Sequence, residues 1–226
     1  MRSLLARLSG GRRGLLTLAI LLPFITPLYA PQLLAFPYRT TTPIGTIWSD
    51  QRLEPAMVDR AVSVTRTRLA TTPLADKVET RRIFVTDGGW RWLWLTTANQ
   101  SAFAISRPLT KAIVLNATDP ATGVISNGRS LGNKRSLGPV LAHEFTHGLI
   151  RRRYGELRAA MFPQWKVEGY CDHVAGESSL TAAEVATLEA KHIDHPALPY
   201  FHGRQRVETE LTANGNSVDD LFASKD

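Results

Sequence analysis

Two histidines and a glutamate stand together in an apolar stretch of the chain, in the pattern His-Glu-x-x-His at positions 143–147. Residues four apart lie one above the other on a helix, so His143 and His147 can present ring nitrogens to one metal ion. Zinc accepts nitrogen and carboxylate ligands, and it lowers the pKa of a water molecule that it binds to about 7. Glu144 is placed to take a proton from that water as it attacks a carbonyl. The motif therefore predicts zinc-assisted hydrolysis.

The residues around the motif predict that it lies in the middle of a helix. Ser136 is a suitable N-cap, and Gly155 is a natural C-terminal stop. Three arginines at 151–153 fall near the negative end of the helix dipole, where cations are favoured. The alternative is an ordinary helix with two surface histidines and an exposed glutamate. A third metal ligand elsewhere in the chain is needed to separate the two interpretations.

The third ligand is expected on a following helix, predicted over residues 163–176. A histidine ligand close after the motif, as in H-E-x-x-H-x-x-G-x-x-H, is excluded because Ile150 and Arg153 occupy the corresponding positions. On the following helix Glu168 and Asp172 are four apart and share one face. Glu168 can bind the metal while Asp172 accepts the remaining ring N–H of one histidine. A solvated acidic face is the alternative.

Together, H-E-F-T-H at 143–147 and W-K-V-E-G-Y-C-D at 165–172 resemble the gluzincin branch of the zinc metallopeptidases, including its small bacterial members. The resemblance covers about residues 82–176. It implies that His143, His147 and Glu168 bind Zn²⁺ and that Glu144 is the general base. It further implies that Asp172 accepts a hydrogen bond from the ring nitrogen of His143 that does not bind the metal.

Three other side chains are considered for this site. The oxyanion of the reaction needs a further donor, and Tyr200 and His202 are the candidates because both follow the ligand helix, where a second lobe would close a cleft. The only cysteine, Cys171, is predicted to point away from the face that carries Glu168 and Asp172 and to act as a small buried hydrophobe.

The charge of the chain is concentrated in its N-terminal part. Residues 1–49 carry five arginines and no acidic residue, which accounts for +5 of the net charge of +7. The rest of the chain is therefore nearly neutral, and nucleic acid is not an expected partner. Residues 14–36 are apolar and uncharged, so residues 1–36 are predicted to be a signal peptide or a signal-anchor. This places the protein in the bacterial inner membrane, with its catalytic domain on the extracytoplasmic side, or predicts its export.

The rest of the chain is predicted to be a linker over 37–49 and one zincin-like metallopeptidase domain over 50–226. Its expected elements are a helix over 54–71, a hairpin of strands 83–85 and 92–95 with Trp90, Trp92 and Trp94 on one face, strands 102–105 and 112–115, a loop over 116–135, and helices 181–191 and 200–211. The predicted class is α+β, with a small mixed sheet, the motif helix and a mostly helical C-terminal part. In the zincin fold, the edge strand beside the metal pairs with an extended peptide.

Two functional hypotheses follow. The first is zinc-dependent hydrolysis of peptide bonds by a membrane-anchored or exported gluzincin-like peptidase, with a peptide or protein as substrate. The second is a non-catalytic, membrane-anchored binding or assembly protein on a zincin scaffold. An intact Glu144 favours the first, because a purely structural site has no use for a general base. The sequence leaves the oligomeric state open.

Overall fold

The computed structural model describes residues 26–224, apart from 28, 77–78, 97–99 and 108–109. Its strands are β1 (Tyr38–Thr42), β2 (Gly45–Ser49), β3 (Arg81–Thr86), β4 (Ala104–Arg107), β5 (Ala112–Thr118), β6 (Val124–Ser126) and β7 (Lys134–Ser136). Its helices are a 3₁₀ helix (Pro31–Leu34), α1 (Pro55–Leu69), α2 (Trp90–Thr96), α3 (Leu137–Tyr154), α4 (Glu156–Met161), α5 (Gln164–Ala175), α6 (Ala182–Ala190), α7 (Leu198–Ala213) and α8 (Val218–Ala223). The predicted leader lies largely outside the described residues, and none of the helices within them has the length and apolarity that a bilayer crossing requires.

The strands form one mixed sheet, in the order β1-β2-β3-β5-β6-β7, with β4 also paired to β5. The β2–β3 and β3–β5 pairs are parallel, and the others are antiparallel. The connection between parallel β2 and β3 contains α1, as a crossover requires. The chain is therefore of the α+β class, with a small mixed sheet.

Both faces of the central strands are covered, because alternate side chains point to opposite sides. Ile83 and Val85 of β3 pack with residues of α1 and α3 in the largest core cluster. Phe84, between them, packs on the other face with Trp92 and Leu95 of α2. Helix α3, which carries the motif, is thus held against the sheet by its Val140, Leu141 and Phe145 side chains.

A second core joins the end of α3 to the C-terminal helices α5, α7 and α8. Helices α5 and α7 approach so closely that a Cβ atom on Gly169 would lie 2.4 Å from the Gly203 carbonyl oxygen. Only glycine fits a helix contact of this kind without a backbone shift. Since Gly169 directly follows Glu168, this contact sets the position of the Glu168 backbone relative to α7.

The structure corrects three predicted elements. The predicted linker over 37–49 contains β1 and β2, because Ile44 and Ile47 are buried in the main core rather than exposed. The predicted loop over 116–135 contains β6 and most of β7. The predicted strand over 92–95 is part of helix α2, in which Trp92 is 2% exposed while Trp90 is 55% exposed. A short, wholly apolar segment fits the helical and the extended period equally well.

Candidate metal centre

The motif lies in α3, an 18-residue helix that is buried on several sides. Ser136 is the N-cap residue by position, although its side chain makes no capping hydrogen bond, and Gly155 ends the helix. His143 and Glu144 are each 7% exposed, and His147 is half-buried. The motif is therefore mid-helix and enclosed, which argues against two ordinary surface histidines.

Three donor atoms from α3 and α5 converge on one point. The Nε2 atoms of His143 and His147 are 3.1 Å apart. The Glu168 Oε2 atom lies 3.2 Å from the first of them and 3.6 Å from the second. Zinc bound tetrahedrally at 2.0–2.1 Å from each donor spaces nitrogen and oxygen ligands about 3.3–3.4 Å apart. The donor set and its spacing therefore fit a zinc ion.

His143 is oriented by a chain of buried charged groups behind it. Its Nδ1–H donates to Asp172 Oδ1 at 2.8 Å, which leaves Nε2 for a metal. The same carboxylate oxygen lies 3.0 Å from Nη2 of Arg135, a buried arginine on β7. Arg135 in turn donates to the backbone oxygen of Glu177, just after α5. The sheet thereby helps to set the ring orientation of a histidine on α3.

The charges at this centre shift the pKa values of its groups. Burial disfavours protonation of His143, but the hydrogen bonds and charges of Asp172 and Glu168 outweigh burial and raise its pKa to about 10. Burial lowers the pKa of His147, which favours the neutral ring. Burial also opposes ionisation of Glu168, yet the two histidines hold its pKa below the usual range. The centre therefore attracts positive charge, which a metal ion would supply in place of the His143 proton.

Cys171 lies closer to the histidines than predicted. Its Sγ atom, a nitrogen of His143 and a nitrogen of His147 lie within 4.8 Å of one another, so this trio could also hold a metal. The prediction that the thiol points away from Glu168 was wrong, because residues three apart on a helix share a face. Burial and the neighbouring carboxylates raise the pKa of the thiol well above its usual range, which favours the neutral thiol over the thiolate that metals bind.

An open cleft of about 400 Å³ runs over the centre, between β4, the loop before β7 and the C-terminal helices. His143, Glu144, His147 and Glu168 line its floor. Among the described residues, none forms a hydrogen bond with the Glu144 carboxylate. Strand β4 runs along the cleft and pairs with β5 alone among the described strands. A reacting molecule in this cleft would thus meet the donor atoms, a free carboxylate and an edge strand together.

The structure separates the two predicted oxyanion donors, Tyr200 and His202. Tyr200 is half-buried and lines the cleft, and its hydroxyl accepts a hydrogen bond from Gln164 Nε2 at 3.1 Å. Burial and the charge of Glu168 raise its pKa. His202 is not at the cleft and lies 3.1 Å from Glu189 on α6. Positions two apart on α7 point to nearly opposite sides, so the prediction for His202 is corrected.

Sequence reasoning missed the arginines of the cleft, Arg129, Arg135 and Arg151. Arg135 lies on a three-residue strand inside a segment predicted to be a loop, and no spacing connects it to Asp172. Arg151 was assigned only to the helix dipole, although it continues the i, i+4 series of His143 and His147. That series was the one sequence signal for an arginine beside the metal centre.

Protein-family models, curated proteins and solved structures contain no match to this chain. The function is therefore inferred from the geometry and chemistry of the site itself.

Proposed function

We propose that the protein hydrolyses peptide bonds with the help of a zinc ion held by His143, His147 and Glu168, on a zincin-like, gluzincin-type fold. The convergence of three donor atoms at 3.1–3.6 Å carries this proposal. Two further groups support it: the Asp172 carboxylate, which accepts a hydrogen bond from His143, and the Glu144 carboxylate, which lines the same cleft. A purely structural zinc site is closed by four protein ligands, whereas this one opens into a cleft.

In the proposed mechanism Glu144 is the general base. Zinc, when bound, supplies a Lewis acid that polarises the scissile carbonyl and makes water acidic enough to lose a proton near neutral pH. Glu144 takes that proton as the water attacks the carbonyl carbon, and then delivers it to the leaving amine. The Tyr200 hydroxyl, which accepts from Gln164, keeps its own hydrogen free to donate to the oxyanion.

The substrate is proposed to be a peptide or protein segment in extended form. Strand β4 offers an edge along the cleft, and an extended peptide can pair with such an edge through its backbone. Association with a membrane through residues 1–36, and a site on the extracytoplasmic side or in an exported protein, remain proposals that rest on the apolar, arginine-flanked leader.

The second candidate is a non-catalytic, membrane-anchored binding or assembly protein on the same scaffold. It would use the same cleft and edge strand, and it differs in having no hydrolytic activity. The buried Glu144, which contributes to no hydrogen bond with the described residues, favours the enzyme.

The proposed function predicts one zinc ion per chain and hydrolysis that a chelator abolishes. We expect the full-length protein, purified in detergent, to contain stoichiometric zinc by elemental mass spectrometry. It should cleave members of an internally quenched peptide library, lose this activity with 1,10-phenanthroline and regain it with added zinc. The non-chelating isomer 1,7-phenanthroline is the control. Stoichiometric zinc without cleavage of any peptide would favour the binding protein, and absence of zinc would overturn both the peptidase and a structural role for zinc.

Replacing Asp172 by asparagine is predicted to weaken zinc binding by about 10- to 100-fold, since outer carboxylate partners of histidine ligands contribute about that much. The change removes the negative charge of Asp172, whose Oδ1 atom contacts both Arg135 and the His143 ring. Competition with a chromogenic chelator measures the affinity. Asp59→Asn, at an exposed position of α1, is the matched control. Equal zinc affinity in the Asp172 variant and the control would contradict the supporting role.

A further inference from the structure

Two of the three arginines that line the cleft have no carboxylate oxygen within 3.5 Å among the described residues. Its lining includes the guanidinium groups of Arg129, Arg135 and Arg151. Its lining carboxylates are Glu144, which forms no ion pair with these arginines, and Glu168, whose Oε2 atom lies 3.2 Å from His143 and 3.6 Å from His147. Arg135 is neutralised by Asp172, at 3.0 Å, and by Glu177, at 3.5 Å. Arg129 and Arg151 therefore remain as candidates for binding an anionic group.

Arg151 is the better placed of the two. It lies four residues after His147 on α3, so it follows the two histidines on the same helix face. Its Nη2 atom donates to the Ser106 hydroxyl on β4 at 2.9 Å, which holds the guanidinium between the ligand helix and the edge strand. A peptide along β4 with its scissile bond at the metal centre would pass this group.

Among the residues that the structure describes, Arg151 pairs with one carboxylate, and that pair is weak. Glu156 Oε2 lies 3.7 Å from Arg151 Nε, and the Glu156 side chain is 66% exposed. An exposed pair at that distance contributes little and is readily displaced. Burial and the nearby charge of Arg81 lower the pKa of Arg151, and they outweigh the opposing charges of Glu156 and Glu144.

We propose that Arg151 binds a carboxylate of the substrate and gives the cleft a preference for peptides that are acidic next to the scissile bond. This inference rests on the proposed peptide hydrolysis. The planar guanidinium can hold a carboxylate through two parallel hydrogen bonds, which adds direction to charge attraction. The carboxylate can come from an Asp or Glu side chain or from a free C-terminus.

The test measures binding separately from turnover. The Glu144→Gln protein, loaded with zinc, is titrated with fluorescent hexapeptides of alanine in which one position is Glu or Gln and the C-terminus is free or amidated. We expect Glu peptides, or peptides with a free C-terminus, to bind about 10-fold more tightly than their neutral counterparts, the size expected of a charge-assisted hydrogen bond. Comparing the two pairs shows which carboxylate is recognised. The additional change Arg151→Gln should abolish the difference, and Arg151→Lys should restore part of it.

Two controls locate the effect. Arg60→Gln removes the same charge from an exposed position of α1 and should leave the preference intact. Arg129→Gln removes the other incompletely paired cation of the cleft. Equal binding of acidic and neutral peptides would overturn the proposal, as would a preference that survives Arg151→Gln but is lost with Arg129→Gln. Hydrolysis by the parent protein of acidic and neutral peptides alike would leave the peptidase in place and remove only the specificity. A preference for acidic peptides without any hydrolysis would support the role of Arg151 and contradict the proposed peptidase activity.

Discussion

The Glu144→Gln protein is expected to retain one zinc ion per chain and to lose peptide hydrolysis by about 10²- to 10⁴-fold in kcat/KM, the usual contribution of a general base. Glutamine has nearly the same shape but cannot take a proton from the attacking water. Glu144 is not among the three converging donor atoms, so the metal centre should be unchanged. Zinc content and cleavage of the internally quenched library measure the two effects on the same sample.

The matched control is Glu54→Gln, an exposed glutamate before α1 and far from the motif in sequence. It removes the same charge and should leave kcat/KM unchanged. Undiminished cleavage by the Glu144 variant would mean that another group accepts the proton, and the mechanism would fail. Loss of zinc together with activity would instead show that Glu144 helps to bind the metal.

Glu168→Gln is expected to weaken zinc binding by more than about 100-fold and to abolish zinc-dependent hydrolysis. The expected loss exceeds the 10- to 100-fold effect of an outer-shell partner because a ligand is removed. The amide has no negative charge with which to offset that of the metal. Chelator competition gives the affinity, and thermal unfolding without metal shows whether the variant is folded.

Cys171→Ala decides between the two donor sets at the centre. The thiol lies within 4.8 Å of the histidine nitrogens, so a set of two histidines and Cys171 is the rival to the set with Glu168. We expect Cys171→Ala to bind zinc as tightly as the parent, because the Glu168 Oε2 atom, at 3.2 and 3.6 Å from the two histidine nitrogens, completes a set of three ligands without the thiol. The opposite pair of results, zinc lost with Cys171→Ala and kept with Glu168→Gln, would replace the gluzincin-type centre by a thiolate site.

The convergence of the candidate metal-binding side chains was predictable because they lie on two helices with regular spacing. The i, i+4 rule places His143 with His147, and Glu168 with Asp172, on single helix faces, and the structure shows both pairs on helices that pack together. The bond from His143 to Asp172, expected from the resemblance, is present at 2.8 Å.

The failures of prediction fall where helical spacing was not applied, or where short strands offer little spacing to read. Tyr200 and His202 were treated alike, although positions two apart on one helix cannot both face a cleft. Segment 37–49 was predicted to be a linker because its strands are short and most residues of β1 are exposed. Only the pairing of β2 with β3 shows that the segment belongs to the sheet.

By itself, the sequence determined the α+β class, the motif helix and the three side chains whose donor atoms converge, those of His143, His147 and Glu168, because helical periodicity converts spacing into geometry. Only the tertiary structure decided what surrounds them. Arg135 reaches Asp172 from a strand 37 residues earlier in the chain. Arg151 meets Ser106 of β4 across a separation of 45 residues. Such contacts depend on how the sheet packs against α3 and α5, and no local pattern encodes that packing.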